Sequence, residues 1–164
     1  MNKKTILWWG RFDPNYSRNM IIRKHLKDLN YRIIDFRPLM SSIGFLEAIL
    51  KRIEKPDLIW VPCFRHRDIP SAKKWSEKLN IKLLFDPLIS SWDKEVHEKN
   101  KIYNQKFSDK LKDKESALFK KADIVISDTS LHADLFRKKL GLSKVRNPIV
   151  YVGAEESLFK PFKK

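Results

Sequence analysis

Thr5-Ile6-Leu7-Trp8-Trp9-Gly10-Arg11-Phe12-Asp13-Pro14-Asn15-Tyr16-Ser17-Arg18-Asn19 is the stretch whose reading decides the fold. It opens with an apolar run closed by a glycine, the pattern of a short buried strand. A polar loop follows, longer than the two to six residues usual between a strand and a helix. Ile22, Leu26 and Leu29 then recur at helical spacing. Strand, loop and helix in that order begin a parallel crossover unit.

The same alternation continues to the end of the chain. Tyr31 to Phe36 reads as a second strand, and Phe45, Ala48, Ile49 and Ile53 mark a helix ended by Pro56. Asp57 to Val61 is a third strand. Ala72, Trp75 and Leu79 mark the next helix, entered through Pro70. Ile81 to Phe85 is a fourth strand, stopped by Asp86-Pro87. A long loop leads to a helix expected from about Glu98 to Lys121, with Tyr103, Phe107, Leu111, Leu118 and Ala122 as its apolar stripe. Asp123 to Ser127 is a fifth strand. Leu131, Leu135 and Phe136 mark a helix stopped by Gly141, and Ile149 to Val152 is a sixth strand. Alternation of this kind predicts an α/β, Rossmann-like three-layer sandwich: a parallel sheet of six or seven strands with helices on both faces.

A chain of 164 residues is one domain by length and needs no disulfide or metal staple. Its single cysteine, Cys63, cannot pair within the chain and suits a reducing compartment. Asn2-Lys3-Lys4-Thr5 leads straight into a strand, not into a secretory apolar region. No apolar run approaches the roughly 20 residues of a membrane span. The expected location is therefore cytoplasmic. The net charge of +15 leaves several partners open: nucleic acid, an anionic membrane surface, a phosphate-bearing ligand, or plain solvent.

Ligands of open parallel sheets bind at the carboxyl ends of the strands. That rule selects Gly10, Arg11, Asp13, Asn15 and Arg18 after the first strand. It selects Arg65, His66 and Arg67 after the third, and Asp86, Ser90, Ser91 and Asp93 after the fourth. Asp128 and His132 follow the fifth. The first loop mixes cations, an acid, amides and aromatics, which suits hydrogen bonding and stacking against a polyhydroxylated ligand. Gly10 allows close backbone approach, and the helix N-terminus beyond favours an anion. Asp13-Pro14-Asn15 also reads as a simple surface turn. Arg65-His66-Arg67 reads either as a grip on an acceptor phosphate or carboxylate or as a solvated loop. Asp128 reads as a cap for the following helix or as a ligand residue, and His132 as a surface residue or as part of the site.

Several chemistries are excluded. Gly10 stands alone, without the Gly-x-Gly-x-x-Gly of a dinucleotide site or a phosphate-gripping Gly-Lys-Ser loop. Trp9-Gly10 and Cys63-Phe64 occupy the places where a phosphoacceptor domain carries carboxylates. Four scattered histidines and one cysteine offer no metal-ligand spacing.

Gly10 to Asn19, Asp86-Pro87-Leu88-Ile89-Ser90-Ser91, Ala122 to Thr129, and Val152-Gly153-Ala154-Glu155 with Phe159-Lys160-Pro161 together resemble glycosyltransferase family 4. The likeness is to the N-terminal, acceptor-side domain of its GT-B architecture and spans essentially the whole chain. It implies a retaining hexosyltransferase-like enzyme. Such an enzyme moves a sugar from a nucleotide-sugar donor to a glycan, lipid-linked or small-molecule acceptor, with no required metal. Many members carry a His just after the fourth strand, near the donor sugar; here that position holds Asp86. The resemblance makes Asp86 the catalytic candidate, a carboxylate that can accept a sugar hydroxyl or steady positive charge at the anomeric carbon.

On this reading residues 1–153 are the Rossmann-like half, and 154–164 begin a linker to a missing C-terminal donor-binding domain. The half binds no cofactor itself and is inactive alone, while the complete enzyme takes a nucleotide sugar. Asp86→Ala is expected to cut transfer and spare the fold. The alternative is a stand-alone basic α/β module for nucleic acid or another polyanion. Only the charge supports it, since RNA-reader and helix-turn-helix signatures are absent. Peripheral contact with the inner face of the membrane is a further expectation. The resemblance implies it through a lipid-linked acceptor, and the basic excess and Phe12, Tyr16 and Trp92 as exposed aromatics agree with it. The alternative is that these rings pack under their own loops or stack on the acceptor. The Glu98–Lys121 segment, with eight Lys against four acids, is either a solvated face or a surface for anionic headgroups.

Overall fold

The computed structural model describes residues 3–98 and 104–154. Among the described residues there are five strands: β1 (Thr5–Trp9), β2 (Arg32–Phe36), β3 (Leu58–Val61), β4 (Lys82–Phe85) and β5 (Ile124–Val125). All pair in parallel, in the order β2-β1-β3-β4-β5. The helices are α1 (Ser17–Asp28), α2 (Gly44–Leu50), α3 (Ile69–Leu79), α4 (Ser91–Asp93), α5 (Gln105–Phe119) and α6 (Ser130–Lys138).

Side chains alternate across the sheet, as the pleat requires. Leu7, Trp9, Ile59, Val61, Leu83 and Phe85 face one side, where Ala48, Trp75, Phe119 and Phe136 from α2, α3, α5 and α6 complete a core. Ile6, Trp8, Trp60 and Leu84 face the other side, with Phe12 and the α1 residues Ile22 and Leu26. Trp8 and Trp60 stack there at 4.9 Å across the β1–β3 pair. The molecule is therefore a Rossmann-like three-layer sandwich.

Among the described residues the strand count is five, below the expected six or seven. The segment expected as a sixth strand runs beside β5 but makes only isolated bridges, Ile124 to Arg146 and Ser127 to Ile149. Pro148 explains the gap, because it has no N–H to give to the Val125 carbonyl. The Asn147 side chain donates to that carbonyl instead, at 2.6 Å. Around the proline the ladder keeps its register: Val125 N–H to Arg146 O at 2.9 Å, Ser127 N–H to Pro148 O at 3.0 Å, and Val150 N–H to Ser127 O at 2.8 Å.

Two helices also depart from expectation. α2 stops at Leu50 and the chain turns through Arg52 at φ 49°, so Ile53 lies beyond the helix and Ile49 is exposed rather than inward. The helix expected from Glu98 starts at Gln105, where the Asn104 side chain caps it by accepting from the Phe107 N–H at 2.8 Å. Tyr103 and the expected linker from 155 onward lie outside the described residues. Before α5, the long loop after β4 holds α4, which continues as a π turn over Lys94–Glu98.

Candidate functional site

Chain order and spatial order separate at β1 and β3, since β2 leaves to one side of β1 and β3 lies on the other. A crevice forms at such a switch point, outside the carboxyl ends of the strands. Gly10 sits there at φ 132°. A Cβ on it would stand 3.1 Å from both Arg65 Cγ and Asp68 Oδ2, so the first loop presses directly on the loop after β3.

Arg18 and Asp86 form the centre of this end of the sheet. Arg18 Nε donates to both Asp86 carboxylate oxygens, at 3.0 and 2.8 Å, and Arg18 Nη1 donates to Val150 O at 3.1 Å. Arg18 and Asp86 side chains are 2% and 1% exposed. Asp86, expected to face the cleft, is therefore covered and clamped. Burial pushes its carboxyl up from the ordinary range; Arg18 pulls it back, and the nearby Asp128 charge adds to the rise. Arg18 Nη2 is buried without a protein partner, so one donor of this guanidinium is unspent.

The other residues of the first loop divide by exposure. Arg11, Asp13 and Asn15 are exposed, and Asp13 Oδ1 accepts from the Asn15 N–H at 2.9 Å as a local turn. Asn19, which the sequence reading passed over, is buried. It donates to Asp13 O at 2.8 Å and accepts from the Cys63 thiol at 3.5 Å, tying the loop to the end of β3. Burial pushes the Cys63 thiol up to about 12, so it is no nucleophile near neutral pH.

After β3 the three candidate residues separate. Arg65 is held by the fully buried Asp68, with Nε at 2.7 Å and Nη2 at 2.6 Å from Oδ2. Asp68 is a second residue that sequence spacing did not single out. His66 turns inward against Phe85 and Phe119, and burial pushes its pKa down to about 4. Arg67 is exposed.

After β4, Ser90 and Ser91 converge, with Trp92, on a residue hidden in the lysine-rich helix, and Asp93 reaches it only through Ser90. Glu115 accepts from Ser90 Oγ at 2.5 Å, Ser91 N–H at 2.7 Å and Trp92 N–H at 3.1 Å. Ser90 Oγ in turn accepts from the Asp93 N–H at 3.0 Å, capping α4. Glu115 lies on the Leu111–Leu118 side of α5, and that spacing was its only signal in the sequence. A groove of about 620 Å³ opens beside this cluster, with Arg67, Pro70, Ser91, Trp92, Leu111 and Leu118 in its walls. Two other hollows lie around Asp57, Lys82 and Asp123, at the amino ends of the strands and away from this chemistry.

Asp128 does not cap α6. Thr129 does, accepting from the His132 N–H at 3.1 Å, while the Asp128 carboxylate pairs with the His132 ring. Among the described residues no group of His, Cys, Asp and Glu gathers to hold a metal ion. Of the three aromatics expected to be exposed, Phe12 and Trp92 are buried and Tyr16 is half-buried, edge-on to Phe64 at 5.3 Å. Phe12 lies edge-on to Trp8 and under the Arg37 guanidinium at 4.5 Å, and Trp92 Nε1 donates to Ser108 Oγ at 3.2 Å. No described helix is long and apolar enough to cross a membrane.

No family model matches the sequence, and no curated protein matches it. The fold does match solved structures. One is the crystal structure of Anabaena Alr3699/HepE in complex with UDP and glucose, with a TM-score of 0.58 at 14% identity. The alignment covers 98% of this chain and 47% of that one, so the chain spans about half the length of the structure it resembles. At this identity the likeness establishes the fold.

Proposed function

We propose that this chain is the acceptor-side half of a retaining glycosyltransferase of the GT-B type, resembling family 4. The observation that supports this is the match of nearly the whole chain to about half of a structure holding UDP and glucose. UDP and glucose are the two pieces of a nucleotide-sugar donor. One Rossmann-like half supplies one wall of the cleft. A second half, on the same polypeptide or another, grips the donor, and no metal is required.

In this reading Asp86 works through Arg18. The buried carboxylate fixes the guanidinium at the switch point, where the unspent Nη2 donor points the chemistry toward an anionic or hydroxylated ligand. Asp86 is then a positioning residue. Arg11, Asp13, Asn15, Arg67 and Ser91 are the exposed side chains that meet the acceptor, a glycan, a lipid-linked sugar or a small molecule. The protein works in the cytoplasm, against the inner face of the membrane when its acceptor is lipid-linked.

Calorimetry and a transfer assay test the proposal on residues 1–164. The half alone is expected to bind nucleotide sugars weakly and to transfer nothing. Amide spectra titrated with saccharide acceptors are expected to move Gly10, Arg11, Asn15 and Ser91. Robust turnover by the isolated chain overturns the half-enzyme reading. Tight nucleic-acid binding that persists at physiological salt replaces it with the polyanion module, since diffuse attraction from the +15 charge collapses with salt.

A further inference from the structure

α2 is apolar on both of its faces. Gly44, Glu47 and Ala48 turn inward, while Leu46 and Leu50, at 55% and 81% exposed, turn out beside Ile43 and Ile49. A helix apolar all round is one that buries both sides. Its outer side is open here.

The loop before α2 enlarges the same surface by a specific device. Glu47 is buried on the inward side and accepts the backbone N–H groups of Leu39 at 2.9 Å and Met40 at 3.2 Å. This pins the loop to the helix and leaves Leu39 and Met40 displayed, at 71% and 57% exposed. Six large apolar side chains thus share one short segment, 39–50. Contiguous exposure on this scale marks an interaction surface.

The rim names the partner. Lys51, Arg52 and Lys55 follow the patch directly in the chain and are all exposed. The exposed acid in the same stretch is Glu54, which Arg32 pairs at 3.6 Å. Lys51 lies over the buried Phe36 ring at 5.6 Å and pairs with Glu47 at 3.7 Å, which keeps its charge beside α2. Apolar side chains bordered by cations match an anionic bilayer, where acyl chains take the former and headgroups the latter.

We propose that the Leu39–Leu50 face is a docking surface for an anionic lipid membrane. Leu39, Met40, Leu46 and Leu50 enter the interface, and Lys51, Arg52 and Lys55 meet the headgroups. This surface replaces Phe12 and Trp92, which are buried. It stands independently of the sugar-transfer reading.

Vesicle sedimentation tests it. Residues 1–164 are mixed with vesicles of phosphatidylglycerol and phosphatidylcholine in equal parts, or of phosphatidylcholine alone. Binding is expected with the anionic vesicles only, weakening with salt. Leu46→Ser/Leu50→Ser is expected to lower it roughly ten-fold or more, since two exposed leucines no longer enter lipid. Leu131→Ser, on the exposed side of α6, is the control and leaves binding unchanged. A second readout does not depend on lost binding. Leu50→Cys carrying an environment-sensitive dye is expected to shift blue on anionic vesicles, with the buried Cys63 left unlabelled.

Unchanged binding by the double variant assigns attraction to diffuse charge and overturns the proposal. So does wild-type protein left in the supernatant at low salt, or a dye that does not shift. A dimer in solution that the double variant dissolves gives the face to a second copy and also overturns it. Sugar transfer is not read in any of these arms, so the two proposals fail separately.

Discussion

Arg18 Nε stands 2.8 Å from Asp86 Oδ2, and the two side chains are almost wholly sealed from water. One residue comes from the first turn of α1 and the other from the end of β4. Their contact closes the carboxyl edge of the sheet across 68 positions of chain. A buried pair of this kind has an asymmetric energetics. Removing one partner strands the other charge, whereas replacing both costs little.

Asp86→Ala is therefore expected to destabilise the fold by about 3–5 kcal/mol. Arg18→Met/Asp86→Leu is expected to recover much of that loss. Urea denaturation of the three proteins checks it, and a single variant as stable as the wild type contradicts it. The expectation that Asp86→Ala spares the fold does not survive this geometry.

Gly10→Ala strains the backbone and crowds the neighbouring loop together. The positive φ of 132° excludes most side chains, and the new Cβ meets Arg65 and Asp68 at 3.1 Å. A loss of about 1–3 kcal/mol is expected from the conformation alone. Gly153→Ala is the comparison, because its Cβ would meet only Ile21 Cγ2 at 3.9 Å. Thermal melts of both are expected to separate them clearly.

Glu115→Ala removes the acceptor for two α4 backbone N–H groups and for Ser90. Each unmet buried donor costs about 1–3 kcal/mol. Hydrogen exchange is expected to quicken at Ser91 and Trp92 while β1 amides stay protected. Equal quickening in β1 would mean global rather than local loosening.

His66 gives the fold a pH dependence with a definite sign. Burial lowers its folded pKa to about 4, below the ordinary value of 6.5. The unfolded chain therefore binds more protons between these values. The neutral ring's contribution is full above pH 6.5 and is lost as pH falls toward 4. The swing is about 3 kcal/mol at most. Glu115 Oε1 lies 3.7 Å from the ring Nε2. His66→Phe keeps an aromatic ring against Phe85 and Phe119 and is expected to flatten stability over that window. A persistent slope would assign it to other groups.

Glu47 acts at lower pH. Burial raises its carboxyl, but the Leu39 and Met40 N–H groups and Lys51 more than offset this and hold it below the ordinary 4.5. Its contribution is present above the ordinary value and is lost as pH falls through the lowered one. Glu47→Gln is expected to reduce that acid sensitivity and to loosen the Leu39–Met40 loop, seen as faster exchange at those two amides.

The α/β class was legible in residues 5–127 because most strands are short apolar runs and α1 and α3 carry an apolar stripe at helical spacing. Those are local properties, and local sequence states them. The strand-end rule also placed Arg18, Asp86, Ser90 and Asp128 at one end of the sheet, since parallel strands all finish there. The strand count was not legible, because one missing N–H at Pro148 decides whether a ladder is continuous.

Partner choice belonged to the tertiary structure alone. Sequence shows that Asp86 ends a strand, but not that Arg18 covers it. It shows Glu115 among lysines on a charged helix, but not that α4 presents its N–H groups to that carboxylate. It shows Phe12 and Trp92 in polar loops, but not that both fold under. Thr129 caps α6 while its neighbour Asp128 turns to His132. Burial and pairing depend on what distant segments bring into contact, so the amino-acid sequence determined the layers of this protein and the packing between layers determined which side chains are free to act.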